Sequence, residues 1–507
     1  MASTLLQNKV TDHREEAIFK ISVFYTSDIR RRRLLELMNR SNRSLIAKRS
    51  SIASERPSSL LKHPSAILAR VALHQKSAAV IERKVADNTS DSSHDEGDDQ
   101  IGSCFTSRFP LYGLDWTDLG ESGPGTARIA ASSYREDYKN YIEVIHGMPL
   151  FAETPGNGNN GADYKNKANI TAWKFDKVAS AAVRYPVTRL QWDPSMRYKA
   201  GFSIDRLATT SECLRIYEYE TEAEGMENNT ITENSGNGYE NNGEFKTYGN
   251  LTEKLCLSNS KTKDFNRMAP LTSFDWNLVD PSLIITCSID TTCTLWDVNR
   301  GSGVTKAQLI AHDNEVYDVK FISGEKNIFV STSKDGSVRL FDLRDLEHST
   351  IVFEESPATN DLHTTTSVSE TASHPLVRLA PSHYDADHIA VLEANSSQII
   401  ILDLRYPGQP LTTLNSHKAA VNSIQWHPRK NLLASGSDDS EVLIWDMDRL
   451  SDYKPHAIRR ANKSIDPIIP VAGYNAGVEV NNICWDPSGD WVAQLGGKKI
   501  QAVKNEI

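Results

Sequence analysis

Alternating apolar and polar positions in residues 273–297 indicate three short β-strands joined by tight turns. Phe274 and Trp276 alternate with polar neighbours, which is the period of a half-buried strand. Residues 283–285 form a continuous apolar run typical of a strand covered on both faces, and residues 293–296 form a third strand that ends on a tryptophan. A single three-stranded unit leaves one face and two edges uncovered, so it requires neighbours.

The same unit recurs along the chain, at a core interval of 45–46 residues that lengthens where polar stretches intervene. Several third strands end in Trp-Asp or a related pair, as in CTLWD (293–297) and VLIWD (442–446). The first strands are GLDW (113–116), RLQW (189–192), SFDW (273–276), DVKF (318–321), VRLA (377–380), SIQW (423–426) and NICW (482–485). Seven such copies predict an all-β fold, a seven-bladed β-propeller of WD40 type.

The propeller is expected to span residues 101–507 and to be closed by its own two ends. The last copy reaches Ile507 without a fourth strand, and residues 102–109 are placed to supply that strand. The blades are expected near residues 112–147, 187–220, 269–298, 314–344, 375–405, 419–448 and 478–503. Three polar stretches of low complexity are predicted to be surface insertions: 151–169, 220–250 and 355–374.

Residues 1–100 differ from the rest in composition and are predicted to form a disordered arm, basic and then acidic. Residues 1–85 carry 17 Lys/Arg against 7 Asp/Glu, and two segments, 27–40 and 65–86, have helix-forming patterns. The remaining chain carries 39 Lys/Arg against 59 Asp/Glu. This acidic balance disfavours nucleic-acid binding by the propeller, so a chromatin-associated role would have to use the basic arm.

The sequence contains no motif that indicates a metal site, a membrane span or a catalytic site. The six cysteines are scattered with no CxxC pair, which predicts reduced thiols rather than a metal site. Neither a membrane span nor a signal peptide is apparent, so a cytoplasmic and nuclear location is expected. Gly-rich phosphate loops and GxSxG elbows are also missing. We therefore expect a non-enzymatic protein with no cofactor, no small-molecule substrate and no membrane partner.

Within the blades, a set of hydrogen-bonding residues is expected to hold neighbouring strands together. In WD40 repeats a histidine, a strand Ser/Thr, a turn aspartate and the terminal tryptophan form a buried hydrogen-bond chain. Ser435 or Ser437 could fill the serine position in the sixth copy, and a catalytic triad is disfavoured because the set repeats at blade spacing. The residues assigned to this network are His312, Asp335, His417, Ser435, Asp439, Trp445, Asp290 and Trp296.

Several segments are more specific than the general repeat, namely APLTSFDWN (269–277), SIDTTCTLWD (288–297), QLIAHDNEVYDVKF (308–321), DGSVRLFDLRDLEHSTIVFEE (335–355) and DPIIPVAGYNAGVEVNNICW (466–485). They closely resemble one WD-repeat family, which includes plant anthocyanin regulators of the transparent-testa-glabra type and animal DDB/cullin-associated factors. The chain is interpreted as a fungal member. The resemblance implies a scaffold that docks a DYRK-type kinase or transcription factors, or alternatively a substrate receptor of a cullin-type ubiquitin ligase.

Two groups of residues are candidates for partner binding. The first lies in a predicted loop between the third and fourth strands of the fourth copy, although a loop with only local hydrogen bonds is an equal alternative. The second consists of Asp-x-Arg pairs that approach the Trp-Asp-x-Arg box of ligase receptors but lack its tryptophan, and simple ion pairing at a strand end is the favoured alternative. The candidates are Arg344, Leu346, Glu347 and His348 in the loop, and Asp342, Arg344, Asp403 and Arg405 in the pairs.

Overall fold

The computed structural model describes residues 103–118, 127–135, 139–151, 170–195, 204–221, 249–258, 269–299, 303–354, 374–453 and 467–507. The predicted arm, with its two helical segments, and nearly all of the three predicted insertions lie outside the described residues. In the described ranges no helix is both long and apolar enough to cross a membrane.

The described strands form seven four-stranded antiparallel sheets arranged as a seven-bladed β-propeller, which confirms the predicted fold. We number the blades 1–7 by their first strand in the chain. The inner strands are β2 (Leu111–Asp118), β6 (Arg189–Trp192), β10 (Leu271–Trp276), β14 (Val316–Phe321), β18 (Leu376–Pro381), β22 (Val421–Trp426) and β26 (Asn482–Trp485). The second strands are β3 (Ala127–Ser133), β7 (Ile204–Thr210), β11 (Leu283–Ser288), β15 (Ile328–Ser333), β19 (His388–Glu393), β23 (Leu432–Ser437) and β27 (Trp491–Gly496).

The two remaining strands of each blade lie further from the axis. The third strands are β4 (Asn140–Phe151), β8 (Leu214–Thr221), β12 (Thr292–Asp297), β16 (Ser337–Asp342), β20 (Ile399–Asp403), β24 (Glu441–Asp446) and β28 (Lys499–Lys504). The outer strands are β5 (Ile170–Val183), β9 (Gly249–Leu257), β13 (Val304–Ile310), β17 (Asp345–Glu354), β21 (Thr412–Leu414), β25 (Pro470–Asn475) and, for blade 7, β1 (Cys104–Thr106). A short 3₁₀ helix, Asp448–Tyr453, follows β24.

Burial decreases from the axis to the rim, as the apolar runs in the sequence indicate. Every residue of the second strand β11 is buried, whereas the outer strand β13 contains only exposed and half-buried residues. The apolar core lies between neighbouring sheets: Trp276 of blade 3 is fully buried and packs in one cluster with Ala208 and Leu214 of blade 2. Each blade therefore covers the face that its neighbour exposes, and no blade buries its own core alone.

The two ends of the described chain meet in blade 7. Strand β1 pairs with β28 in antiparallel register, with Cys104 opposite Gln501 and Phe105 opposite Ile500. The pairing continues through backbone hydrogen bonds from Ala502 N to Ser103 O (2.8 Å) and from Ser107 N to Lys498 O (2.9 Å). Because β1 satisfies the outward edge of β28, the third strand of blade 7 is covered like the others.

Removal of β1 tests the contribution of this pairing. We expect a chain lacking residues 1–100 to unfold at the same temperature as the full chain. A chain lacking residues 1–109 is expected to lose about 2–4 kcal/mol, because Phe105 leaves its half-buried site and the edge of β28 becomes unpaired. Differential scanning calorimetry of the two truncations measures the difference, and equal unfolding temperatures would argue against a stabilising role for β1.

Candidate interaction surfaces and the blade network

The residues Arg344, Leu346, Glu347 and His348, which we name the β17 surface, lie at the start of the outer strand of blade 4. The expected loop is wrong: β16 turns into β17 through Leu343 and Arg344 alone, and β17 begins at Asp345. Within β17 the register shifts, since Asp342 pairs with Asp345 while Phe341 pairs with Ser349. Leu346, Glu347 and His348 are therefore three extra residues that form a bulge at the rim.

Local ion pairs orient the charged side chains of this bulge. The Arg344 guanidinium donates to both carboxylate oxygens of Asp342, with Nε–Oδ1 at 2.9 Å and Nη2–Oδ2 at 2.5 Å. These hydrogen bonds lower the pKa of Asp342 to about 2. His348 Nδ1 lies 3.2 Å from Asp345, although the His348 side chain is 81% exposed. The bulge thus presents pre-oriented polar groups to solvent, an arrangement compatible with partner binding and with purely local bonding.

Asp403 and Arg405 repeat this geometry at the end of the third strand of blade 5. Arg405 donates to Asp403 at 2.9 Å (Nε–Oδ1) and 2.7 Å (Nη2–Oδ2), and its Nε lies 3.3 Å from Asp387. Burial opposes ionisation of Asp403, but the hydrogen bonds from Arg405 outweigh it and lower the pKa of that carboxyl. Both Asp-x-Arg pairs therefore have the geometry of the strand-end ion pairs favoured as an alternative.

The blade network is complete in blade 6. His417 Nδ1 lies 3.0 Å from Asp439 and its Nε2 lies 2.8 Å from Ser435 Oγ, which accepts a hydrogen bond of 2.9 Å from Trp445 Nε1. Ser435 fills the serine position, while Ser437 donates to the carbonyl of Ala419. This geometry assigns a neutral imidazole that donates through Nδ1 and accepts the Ser435 hydroxyl at Nε2.

The electrostatics of this network favour the neutral histidine and the ionised aspartate. Burial lowers the pKa of His417 more than Asp439 raises it. Burial also opposes ionisation of Asp439, but backbone N–H donors and His417 outweigh it and lower the pKa of that carboxyl. Below pH ~6.5 a histidine in the unfolded chain binds a proton, whereas His417 in the folded protein does not. The free energy of unfolding therefore falls as the pH drops below that value. Asp439 adds a further loss at lower pH.

Blades 4 and 3 carry shortened versions of the network. His312 Nε2 lies 2.7 Å from Ser331 Oγ and its Nδ1 lies 3.0 Å from Asp335, but Phe341 stacks on a neighbouring ring and donates no hydrogen bond. In blade 3, Trp296 Nε1 donates to Thr286 Oγ1 at 2.9 Å.

Asp290 is separate from that tryptophan. It accepts from the backbone and hydroxyl of Thr292, which closes the hairpin turn in which Thr291 has φ = 73°.

His417, Asp439 and Glu441 also form a group whose potential metal-binding atoms lie within 4.8 Å of one another. Both ring nitrogens of His417 are already used, by Asp439 and by Ser435. A metal ion at this group would have to break the bond to Asp439 or to Ser435. The donor set therefore does not fit a metal, and we assign these residues to the structural network.

A further set of contacts between blades was missed by the sequence analysis. The residue before the last aromatic of an inner strand accepts the backbone N–H of the equivalent aromatic in the next blade. The four bonds are Trp192 N to Asp115 (2.7 Å), Trp276 N to Gln191 (3.3 Å), Phe321 N to Asp275 (3.0 Å) and Trp485 N to Gln425 (2.8 Å). The recurring Asp-Trp and Gln-Trp dipeptides were a signal that could have revealed it.

The junction between blades 4 and 5 departs from this pattern because Pro381 has no backbone N–H. The equivalent acceptor position holds Lys320, which instead donates to Asp275 at 3.0 Å. Burial lowers the pKa of Lys320. A cavity of about 170 Å³ is lined by these inner strands, and there Arg378 donates to the Tyr112 hydroxyl at 3.0 Å. These polar groups bond to one another across blades, which stabilises the ring around its axis.

The fold and its network define a WD40 propeller of the scaffold class. A model of the WD domain, G-beta repeat, matches residues 303–342 and 408–446. The WD repeat-containing protein YPL247C of Saccharomyces cerevisiae is 33% identical over 79% of this chain and 76% of its own length. The DDB1- and CUL4-associated factor 7 homolog of Dictyostelium discoideum is 33% identical over 79% of this chain and 97% of its own length. This chain belongs to the WD40 repeat family.

A third relative, the uncharacterized WD repeat-containing protein C17D11.08 of Schizosaccharomyces pombe, is 32% identical over 78% of this chain and 87% of its own length. The three alignments are long enough to include most of the ring. A specific link to plant anthocyanin regulators stays a prediction.

Replacing the network serine with alanine in blades 6 and 4 compares the stability that the complete and the shortened networks contribute. We expect Ser435→Ala to destabilise the protein by about 2–3 kcal/mol, because Trp445 Nε1 and His417 Nε2 both lose a buried partner. Ser331→Ala in blade 4 is expected to cost only about 1 kcal/mol, since His312 alone loses a partner there. Urea unfolding of the two variants measures the difference. Equal losses would show that the tryptophan bond adds no stability.

Proposed function

We propose that this chain is a non-enzymatic scaffold that docks a DYRK-type kinase at the β17 surface, and that it brings transcription regulators to that kinase in the cytoplasm and nucleus. The observation that carries this proposal is the three-residue bulge on β17. A bulge on an outer strand costs ladder hydrogen bonds, and natural sheets place such features where a side chain is re-aimed. The family resemblance of residues 335–355 supports the choice of kinase.

The composition of the bulge supports a protein partner. Leu346 is half-buried, and Ile351 further along β17 is 46% exposed, so the strand offers apolar area beside charge. Arg344 and His348 are already oriented by Asp342 and Asp345. Groups that are ordered before binding lose less conformational entropy when a partner docks. The β17 surface is therefore suited to a compact, mixed apolar and charged contact.

A ligase receptor is the second candidate. One relative is named as a DDB1- and CUL4-associated factor homolog, and the paired Asp342–Arg344 and Asp403–Arg405 end neighbouring third strands. Both Asp-x-Arg pairs lack the tryptophan of the Trp-Asp-x-Arg box found in ligase receptors, and Arg405 also contacts Asp387. An arginine held by two carboxylates is less available to a partner, so we rank this function second. A chromatin role through the basic arm concerns residues outside the described ranges.

Affinity purification of the tagged full chain, followed by mass spectrometry, tests the proposal. We expect a DYRK-type kinase among the partners, and we expect its recovery to fall at least about tenfold when Arg344, Leu346 and His348 are all changed to alanine. A loss of 1.4 kcal/mol in binding corresponds to this factor. The matched control changes Lys306, Gln308 and Ile310 to alanine on β13, the outer strand of blade 3, and should leave recovery unchanged.

The same experiment distinguishes the two functions. Recovery of a cullin-ligase adaptor that is lost in Arg405→Ala, without any kinase, would favour the receptor. Kinase recovery that is equal in the β17 and β13 variants would refute the β17 surface as the docking site.

A further inference from the structure

Two cysteines lie in contact at one end of the pairing between the third and outer strands of blade 2. Cys213 precedes β8, and Cys256 is near the end of β9. The register places Leu214 opposite Leu257 and Arg215 opposite Cys256, so the two thiols are diagonal neighbours. Their Sγ atoms are 2.9 Å apart. The residues are 43 positions apart in sequence, so only the pairing of β8 with β9 brings them together.

The two thiols have different environments. Cys213 is buried and Cys256 is exposed. The hydrogen bond between the two sulfurs is the main cause that lowers the pKa of Cys256, and Arg215 lowers it further. The hydrogen bond to Cys256, together with burial, raises the pKa of Cys213. An exposed thiol with a lowered pKa beside a second thiol is the arrangement found in redox-sensitive pairs.

Charged neighbours keep this arrangement in place. Arg215 contacts Glu212 on one side, and its Nε lies 3.1 Å from Glu253 Oε2 on the other. The Ser211 hydroxyl also accepts from Arg215 at 3.0 Å. The guanidinium is thus anchored beside the thiols by the turn between β7 and β8 and by β9.

We propose that Cys213 and Cys256 form a reversible intrachain disulfide in response to peroxide, which makes this end of blade 2 a redox modification site. The Cys256 thiolate attacks one oxygen of hydrogen peroxide; an S–O bond forms, the O–O bond breaks, and the departing hydroxide takes up a proton to become water. The Cys213 sulfur then attacks the sulfenic sulfur of Cys256. The S–S bond forms, the S–O bond breaks, and the hydroxyl leaves as water with the Cys213 proton. Two thiols and one peroxide give one disulfide and two waters.

The disulfide fastens the outer strand of blade 2 to its third strand. Strand β9 is the more exposed of the two, with Leu251 and Leu257 its only buried residues. A covalent bond at the end of the β8–β9 pair prevents β9 from separating there. This inference does not depend on which partner the propeller binds.

Oxidation of the full-length protein tests the proposal. The reduced protein is treated with a small excess of hydrogen peroxide, free thiols are blocked with iodoacetamide, and peptides are mapped by mass spectrometry without reduction. We expect one linked peptide pair, Cys213 to Cys256, that disappears after treatment with dithiothreitol. The buried Cys287 and Cys293, which face each other in the register of β11 and β12, are the internal control and should stay reduced.

Two variants separate the roles of the thiols. Cys256→Ser, at an exposed site, should fold normally and abolish the link. Cys213→Ala should leave Cys256 as a sulfenic acid that dimedone labels at least about fivefold more than in the wild type. Retention of unmodified, alkylatable Cys256 after peroxide treatment would overturn the proposal. So would linkage of Cys256 only to a second molecule, or oxidation of Cys287 and Cys293 at the same rate, which would indicate unfolding.

Discussion

The pairing of β1 with β28 is the constraint on which the rest of the structure depends. Each blade buries its apolar face only against a neighbour, so an open ring would leave the faces at the junction of blades 7 and 1 exposed. That junction holds one continuous cluster, in which Trp116 and Ile129 of blade 1 pack with Trp491 and Ile500 of blade 7 and Phe105 lies against them. Strand β1 is bonded into blade 7 and leads directly into β2 of blade 1, so it ties the two blades together, and the closed ring then holds every other blade in place.

The ring is stiffened by two kinds of polar contact with different reach. The His417–Ser435–Trp445 chain joins strands within one blade, whereas the carboxylates and amides that precede the inner aromatics join neighbouring blades at four of the junctions. The contacts between blades lie on the inner strands next to the axis, whereas the network of blade 6 reaches its second and third strands. Groups suited to partner binding or to modification are found elsewhere, in the bulge of β17 at the rim and in the thiol pair at the end of the β8–β9 pairing.

The sequence predicted the fold because each blade repeats the same apolar period and ends on similar aromatic residues. It could not choose between Ser435 and Ser437, since residues two apart in a strand point to the same face. The segment around Leu346–His348 is mostly polar, which predicts a loop, whereas the shift of register that makes it a bulge is set by pairing with β16. Cys213 and Cys256 were noted only as separate thiols, because their contact depends on tertiary pairing across 43 positions.

Amide hydrogen exchange of the full chain tests the closed ring most directly. If β1 covers β28, the amides of Ile500 and Ala502, which point toward β1, exchange as slowly as those of β24, the third strand of blade 6. Exchange of these two amides within seconds, with β24 and the β27-facing amide of Gln501 protected in the same sample, would mean that the ring is open and would contradict the account.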